Sequence, residues 1–156
     1  MMNKKILAFI YNGKKFLSLR NNPENANFGG DFWFTVTGTI EENESAEDAV
    51  KREIREEIGL EVDDILYLNF DSIYKWAGKE HLERNYIVFT KDNEIKLDNE
   101  HVEYKWQDIV SFIKDIKWDY NKKELFIVLN KAVKKELFYK KQKIIDFRIN
   151  NVKINC

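Results

Sequence analysis

The chain has 156 residues, 44% hydrophobic, 14% aromatic and 34% charged, a balance expected of one soluble globular domain with enough apolar mass for a core. Its 26 basic and 27 acidic side chains leave a net charge of −1, so no global field grips a polynucleotide backbone and nucleic acid is not an expected partner. The lone cysteine, Cys156, excludes an intrachain disulfide, and the first apolar run is too short for a signal peptide or membrane span, so a cytoplasmic setting is expected.

In chain order, Ile6–Tyr11 is a strand candidate, Asn12-Gly13 marks a hairpin, and Lys15–Leu19 supplies the return strand. Residues 21–31 are polar, hold the only proline, Pro23, and read as a surface loop. Phe32–Val36 is a strand ending at Gly38. A helix starts at Ser45, with Asp48 three residues on as an approximate capping box, and stops at Gly59. Strands are expected at Ile65–Asn69, Ser72–Trp76, Tyr86–Thr90 and Glu103–Trp106, with a short helix over Asp108–Ile113. Asn121 caps a longer helix through about Tyr139, in which Leu125, Val128, Leu129, Ala132, Val133 and Leu137 keep helical spacing. The result is an α/β protein, a mixed sheet between helices. In the tail, Ile145, Phe147 and Ile149 alternate with polar residues, so residues 140–156 are expected to append a strand to a single domain spanning 1–156. That strand pairs within the chain or, as the alternative, across a homodimer.

The segment Gly38–Leu60, GTIEENESAEDAVKREIREEIGL, carries the chemistry. Glu53, Glu56 and Glu57, spaced i, i+3 and i+4, stand on one helix face. Glu53 and Glu57 also share an arc with Ala46, Ala49 and Val50, an arrangement that would place unpaired carboxylates in an apolar stripe at considerable cost. A divalent cation resolves the conflict. Hard cations such as Mg²⁺ take oxygen ligands, keep several waters and bind a substrate's phosphates beside one or two carboxylates. The pattern points to a Mg²⁺ site for phosphate chemistry, with Mn²⁺ as a substitute. His81 and His101 are too isolated in sequence to suggest a histidine metal site.

The same segment resembles the Nudix box at every defined position: Gly38, Glu44, Arg52-Glu53-Ile54, Glu56-Glu57 and Gly59-Leu60. The flanks FWFTVTG and EHVEYKW are similar to the branch that includes dATP pyrophosphohydrolases and dihydroneopterin-triphosphate pyrophosphatases; dinucleoside-polyphosphate hydrolases share parts of both. The resemblance implies an α/β/α sandwich with a catalytic loop-helix-loop. It implies Glu56 and Glu57 as principal metal ligands, Glu53 orienting water or acting as base, and the Gly38 carbonyl facing a metal. By the same resemblance Arg52 pairs with Glu44 and orients Glu53, and Glu100 is the loop acid that joins the metal site or acts as base.

Phosphate contacts are expected from basic side chains near the cleft, foremost Arg20 at a strand end, with Lys75, Lys79, His81 and Arg84 as a second group. A flat base or pterin would stack on an aromatic drawn from Trp33, Phe34, Tyr74 and Trp76, whereas Trp106 is expected to be packing. The expected activity is Mg²⁺-dependent hydrolysis of a nucleoside triphosphate or pterin triphosphate with release of pyrophosphate. The alternatives are a dinucleoside-polyphosphate hydrolase, against which VTG replaces the proline-lysine-glycine sequence of that group, and a non-catalytic ligand sensor, against which every acid of the box is present.

Overall fold

The computed structural model describes residues 2–24 and 30–136. Among them a mixed sheet forms around β1 (Asn3–Tyr11), which runs parallel to β6 (Lys79–Phe89) from Asn3↔His81 to Tyr11↔Phe89. The other side of β1 is shared. Lys5–Ala8 pairs antiparallel with β4 (Val36–Thr39), while Tyr11 meets Phe16 of β2 (Phe16–Asn21) across the hairpin. β2 then carries β3 (Trp33–Phe34) and β7 (His101–Gln107), and β6 carries β5 (Asp64–Trp76). In the hairpin Gly13 takes φ +97°, and the Asn12 side-chain oxygen accepts from the backbone N–H groups of Lys14 and Lys15.

Strand periodicity separates the core into two layers. Leu7 and Phe9 of β1 face a cluster built with α2 (Ile109–Asp115) and α3 (Lys122–Ala132), including Phe112, Leu125, Val128 and Leu129. Ile6, Ala8 and Ile10 face α1 (Ala46–Ile58) through Ala49, Val50, Ile54 and Ile58. Each such fully buried aliphatic or aromatic side chain contributes about 1.5–3 kcal/mol. The two layers make the expected α/β/α sandwich.

α1 starts and stops where its sequence says. The Ser45 hydroxyl accepts from the Asp48 N–H at 3.1 Å, a cap of about 1 kcal/mol. Gly59 closes the helix at φ +68°, its N–H donating to the Arg55 carbonyl.

Four expectations are corrected. The strand expected over Phe32–Val36 is two, β3 on β2 and β4 on β1, parted at Thr35, whose hydroxyl donates to the Ala8 carbonyl. The two strands at Ile65–Asn69 and Ser72–Trp76 are one strand, β5, interrupted by a bulge: pairing with β6 breaks between Tyr67 and Asp71, and Asn69 adopts φ +63°. The following strand begins at Lys79 rather than Tyr86, because its polar first half buries His81, Glu83 and Asn85 on the sheet. The last helix ends at Ala132, with Lys135 in the left-handed region at φ +56°. Residues 137–156, including Tyr139 and the expected tail strand, lie outside the described residues.

Candidate functional site

α1 grades its acids by depth. Val50, Ile54 and Ile58 pin one stripe to the sheet, and Glu57, three residues after Ile54, falls on that stripe with its side chain only 4% exposed. Glu53 lies nearby, half-buried, whereas Glu56 on the outer edge is 58% exposed. The Oε2 atom of Glu57 is buried without a hydrogen-bond partner among the described residues. Burial, hydrogen bonding with Glu53 and repulsion from Glu100 push its carboxyl up to about 12. Burial, with repulsion from Asp98, Glu53 and Glu56, also raises Glu100.

Arg52 organises the outer side of the cluster. Its Nε and one terminal nitrogen donate to the two oxygens of Glu44 at 2.7 and 3.0 Å, and the same terminal nitrogen reaches the Thr39 carbonyl at 2.9 Å. The other terminal nitrogen holds Glu53 at 2.9 Å. Glu41, outside the defined positions of the box, also stands 2.9 Å from Nε. The guanidinium and the Glu41 N–H hold the Glu44 carboxyl down at about 2. At Gly38 an added Cβ would collide with the Glu53 side chain, so glycine leaves the room that Glu53 occupies beside β4.

The chain after β6 returns Glu100 to this cluster. The Lys96 and Asp98 N–H groups donate to the terminal α1 carbonyls of Ile58 and Glu57, and the Glu100 carbonyl accepts from Asn22 at the end of β2. Glu100 thereby enters a group with Glu57 and His101 in which one ligand atom from each lies within 4.8 Å of the others. His101 is thus brought to the acids despite its isolation in sequence. Burial lowers its imidazole pKa, against the pull of Asp98.

A cleft of about 770 Å³ opens from these acids. Its lining includes Gly38, Arg52, Glu53, Glu56, Glu57, Glu100 and His101 together with Phe32, Phe34, Tyr74, Trp76, Lys5 and Lys117. Trp76 is 57% exposed at the wall. Tyr74 stacks on buried His81 at 5.1 Å, with its hydroxyl donating to Glu83.

Two sequence candidates lie outside the lining, and the pleat explains both. Leu19 and Asn21 of β2 face the cleft, so Arg20 between them points to the other side, where Asp31 and Glu103 hold it at 2.9 and 3.1 Å. Phe32 and Phe34 face the cleft, so Trp33 turns away and receives the Lys105 ammonium over its ring at 4.1 Å. Of the second basic group, Arg84 is engaged by Asp71 and the Tyr67 ring, His81 is buried under Tyr74, and Lys75 and Lys79 are exposed outside the lining. Lys5 and Lys117 are the lysines that line the cleft among the described residues. Neither carries a local sequence signal; the sheet register and the α2–α3 connection bring them there.

The NUDIX domain profile matches residues 1–127 of the chain. The chain belongs to the Nudix family. Dihydroneopterin triphosphate diphosphatase of Escherichia coli K12 is 28% identical over 120 residues, covering 66% of this chain and 76% of that protein. Among solved structures, the MutT protein of Methanosarcina mazei Go1 superposes with a TM-score of 0.68 at 23% identity, over 83% of this chain and 96% of the other. The E. coli dihydroneopterin triphosphate pyrophosphohydrolase gives 0.65 at 24% identity, over 83% and 99%. The mixed sheet between helices is therefore the Nudix fold, and the chain is a Nudix pyrophosphohydrolase, of a family that generally uses divalent metals. No helix among the described residues is long and apolar enough to cross a membrane.

Proposed function

We propose that this Nudix protein hydrolyses a phosphoanhydride bond of a nucleoside triphosphate or pterin triphosphate with Mg²⁺, releasing pyrophosphate and the monophosphate. The observation that carries the reading is Glu57: a buried carboxyl with one oxygen unpartnered, set in an acid cluster at the head of a cleft with aromatic walls. The E. coli relative named for dihydroneopterin triphosphate supports the substrate class.

The residues present fit a divalent cation. The donor set is mainly carboxylate oxygen, Glu57 Oε2 lacks a partner among the described residues, and a side chain at Gly38 would fill the space beside Glu53. Glu53, Glu56, Glu57 and Glu100, with the Gly38 carbonyl, would hold it. When bound, the cation neutralises charge on the bridging phosphate oxygens and helps activate the attacking water.

The chain's own groups do the positioning. Arg52, anchored on Glu44 and Thr39, orients the Glu53 carboxylate toward the cleft. Glu53 or Glu100 accepts the proton of the attacking water, the second serving as the neighbouring charge that keeps the first basic. Water adds to phosphorus, the anhydride oxygen departs with the pyrophosphate, and the accepted proton returns to solvent. Lys5 and Lys117 offer ammonium charge to the phosphate chain, while Phe34, Tyr74 and Trp76 offer ring faces to the flat heterocycle.

The test is a panel of canonical and oxidised nucleoside triphosphates, pterin triphosphates and dinucleoside polyphosphates with Mg²⁺, with products identified by mass. Pyrophosphate and a monophosphate from a triphosphate are expected. Cleavage confined to dinucleoside polyphosphates would replace the substrate class, and no cleavage of any member would overturn the reading.

A further inference from the structure

His101 has no role in the reading above, yet the strand that carries it is bent to deliver it. Arg20 pairs with Glu103, but the next residue, Asn21, pairs with His101, so Val102 is skipped and left exposed. Bulges of this kind re-aim a side chain beside a functional site. Because Asn21 faces the cleft, the residue opposite it faces the cleft too. Without the bulge that residue would be a valine.

The imidazole so placed is 9% exposed, and its Nδ1 atom is buried without a hydrogen-bond partner among the described residues. Its nearest carboxylate oxygens are Asp98 Oδ1 at 3.7 Å and Glu57 Oε1 at 3.8 Å, both beyond hydrogen-bonding reach. Glu57 also keeps an unpartnered buried oxygen. Two donor-capable groups, each desolvated and each incomplete, face the same small volume. Two atoms bonded to one ion at about 2.1 Å stand at most about 4.2 Å apart. The Nδ1–Oε1 separation of 3.8 Å is within that limit. The widest spacing allowed in the Glu57, Glu100 and His101 group, 4.8 Å, closes with a side-chain movement of about 0.6 Å. Glu100 is half-buried and lines the open cleft.

We propose that His101 Nδ1 completes, with Glu57 and Glu100, a mixed nitrogen–oxygen metal position at the inner end of the cluster, favouring a first-row transition cation such as Mn²⁺ or Co²⁺ over Mg²⁺. The proposal rests on the metal reading of the acid cluster and goes beyond it, adding a nitrogen ligand and naming the cation class. Imidazole suits borderline transition ions, whereas Mg²⁺ prefers all-oxygen shells and sheds water reluctantly. Glu53 and exposed Glu56 remain as an oxygen-only outer position.

The test uses the full chain stripped of metal and titrated with Mn²⁺. Electron spin-echo envelope modulation reads directly bonded nitrogen, and calorimetry reads Mn²⁺ and Mg²⁺ affinity in the wild type, His101→Gln and His101→Ala. Nitrogen modulation is expected in the wild type and lost in both variants. Mn²⁺ affinity should fall at least about tenfold while Mg²⁺ affinity changes less than about threefold. Mn²⁺ bound without nitrogen coupling, or coupling that survives in either variant, overturns the histidine ligand while leaving the acid site standing. No Mn²⁺ binding at all overturns both. Should a variant fail to fold, the wild-type spectrum alone decides.

Discussion

Replacing Glu57 by Gln separates the electrostatic cost of the site from its use. In the folded chain the Glu57 carboxyl, ordinarily near 4.5, is pushed up to about 12, first by burial and then by Glu53, Glu100 and Asp98. Without a cation at pH 7 the folded chain therefore keeps a proton there that the unfolded chain has released. A folded pKa raised above the unfolded one makes an acid destabilising as pH rises from about 4.5 toward the folded value. At about 1.4 kcal/mol per pH unit, the 2.5 or so units between 4.5 and 7 cost about 3 kcal/mol. That figure requires only a folded value above 7. Glu57→Gln carries no such cost, so in chelator at pH 7 it should melt about 6 to 12 °C above the wild type, the gap closing at pH 5. Divalent cations should raise the wild-type melting temperature far more than the variant's, and turnover should fall at least about a hundredfold. Scanning calorimetry with and without Mg²⁺ at both pH values, beside a phosphate-release assay, makes the comparison. A variant less stable than wild type in chelator at pH 7, an equal gap at pH 5, or unchanged turnover would refute the reasoning.

Gly38→Ala should displace the flexible end of Glu53 rather than unfold the chain, lowering turnover about a hundredfold with a melting shift of only a few degrees. Arg52→Lys removes the forked grip on Glu44. The Glu44 carboxyl, held down at about 2, contributes above its ordinary value near 4.5, a contribution lost as pH falls toward 2; acid unfolding of the variant should therefore begin at higher pH by circular dichroism. Trp76→Ala, at an exposed wall position, should raise KM about tenfold with kcat little changed, the loss of one stacking face. Arg20→Gln should leave KM within about twofold of wild type, because Asp31 and Glu103 already occupy the guanidinium.

Local signals were the legible ones. Ser45, Asp48 and Gly59 delimit α1 because caps answer to neighbours a few residues away, and Asn12-Gly13 does the same for the hairpin. The acid spacing of the box was legible for the same reason. What failed depended on partners far along the chain. The start of β6 reads polar because His81, Glu83 and Asn85 are buried against cross-strand polar groups such as Tyr74, Ser72 and the Phe70 carbonyl. The β5 bulge is set by that pairing. Choosing Trp33 over Phe34 required the face of a two-residue strand, and choosing Arg20 required knowing that Asp31 and Glu103 meet it. His101 stood next to Glu100 in the sequence, and that adjacency was the available signal. The bulge that turns His101 toward Glu57 was not visible there.

The most direct measurement is a crystal structure with Mn²⁺ and a non-hydrolysable triphosphate analogue, the metal located by anomalous scattering. Metal peaks within bonding distance of Glu57 and its neighbours Glu53, Glu56 or Glu100, bridged to the analogue's phosphates, are expected. Phosphates bound away from these carboxylates, or metal peaks only on the outer surface while the cleft is filled by the analogue, would contradict the account.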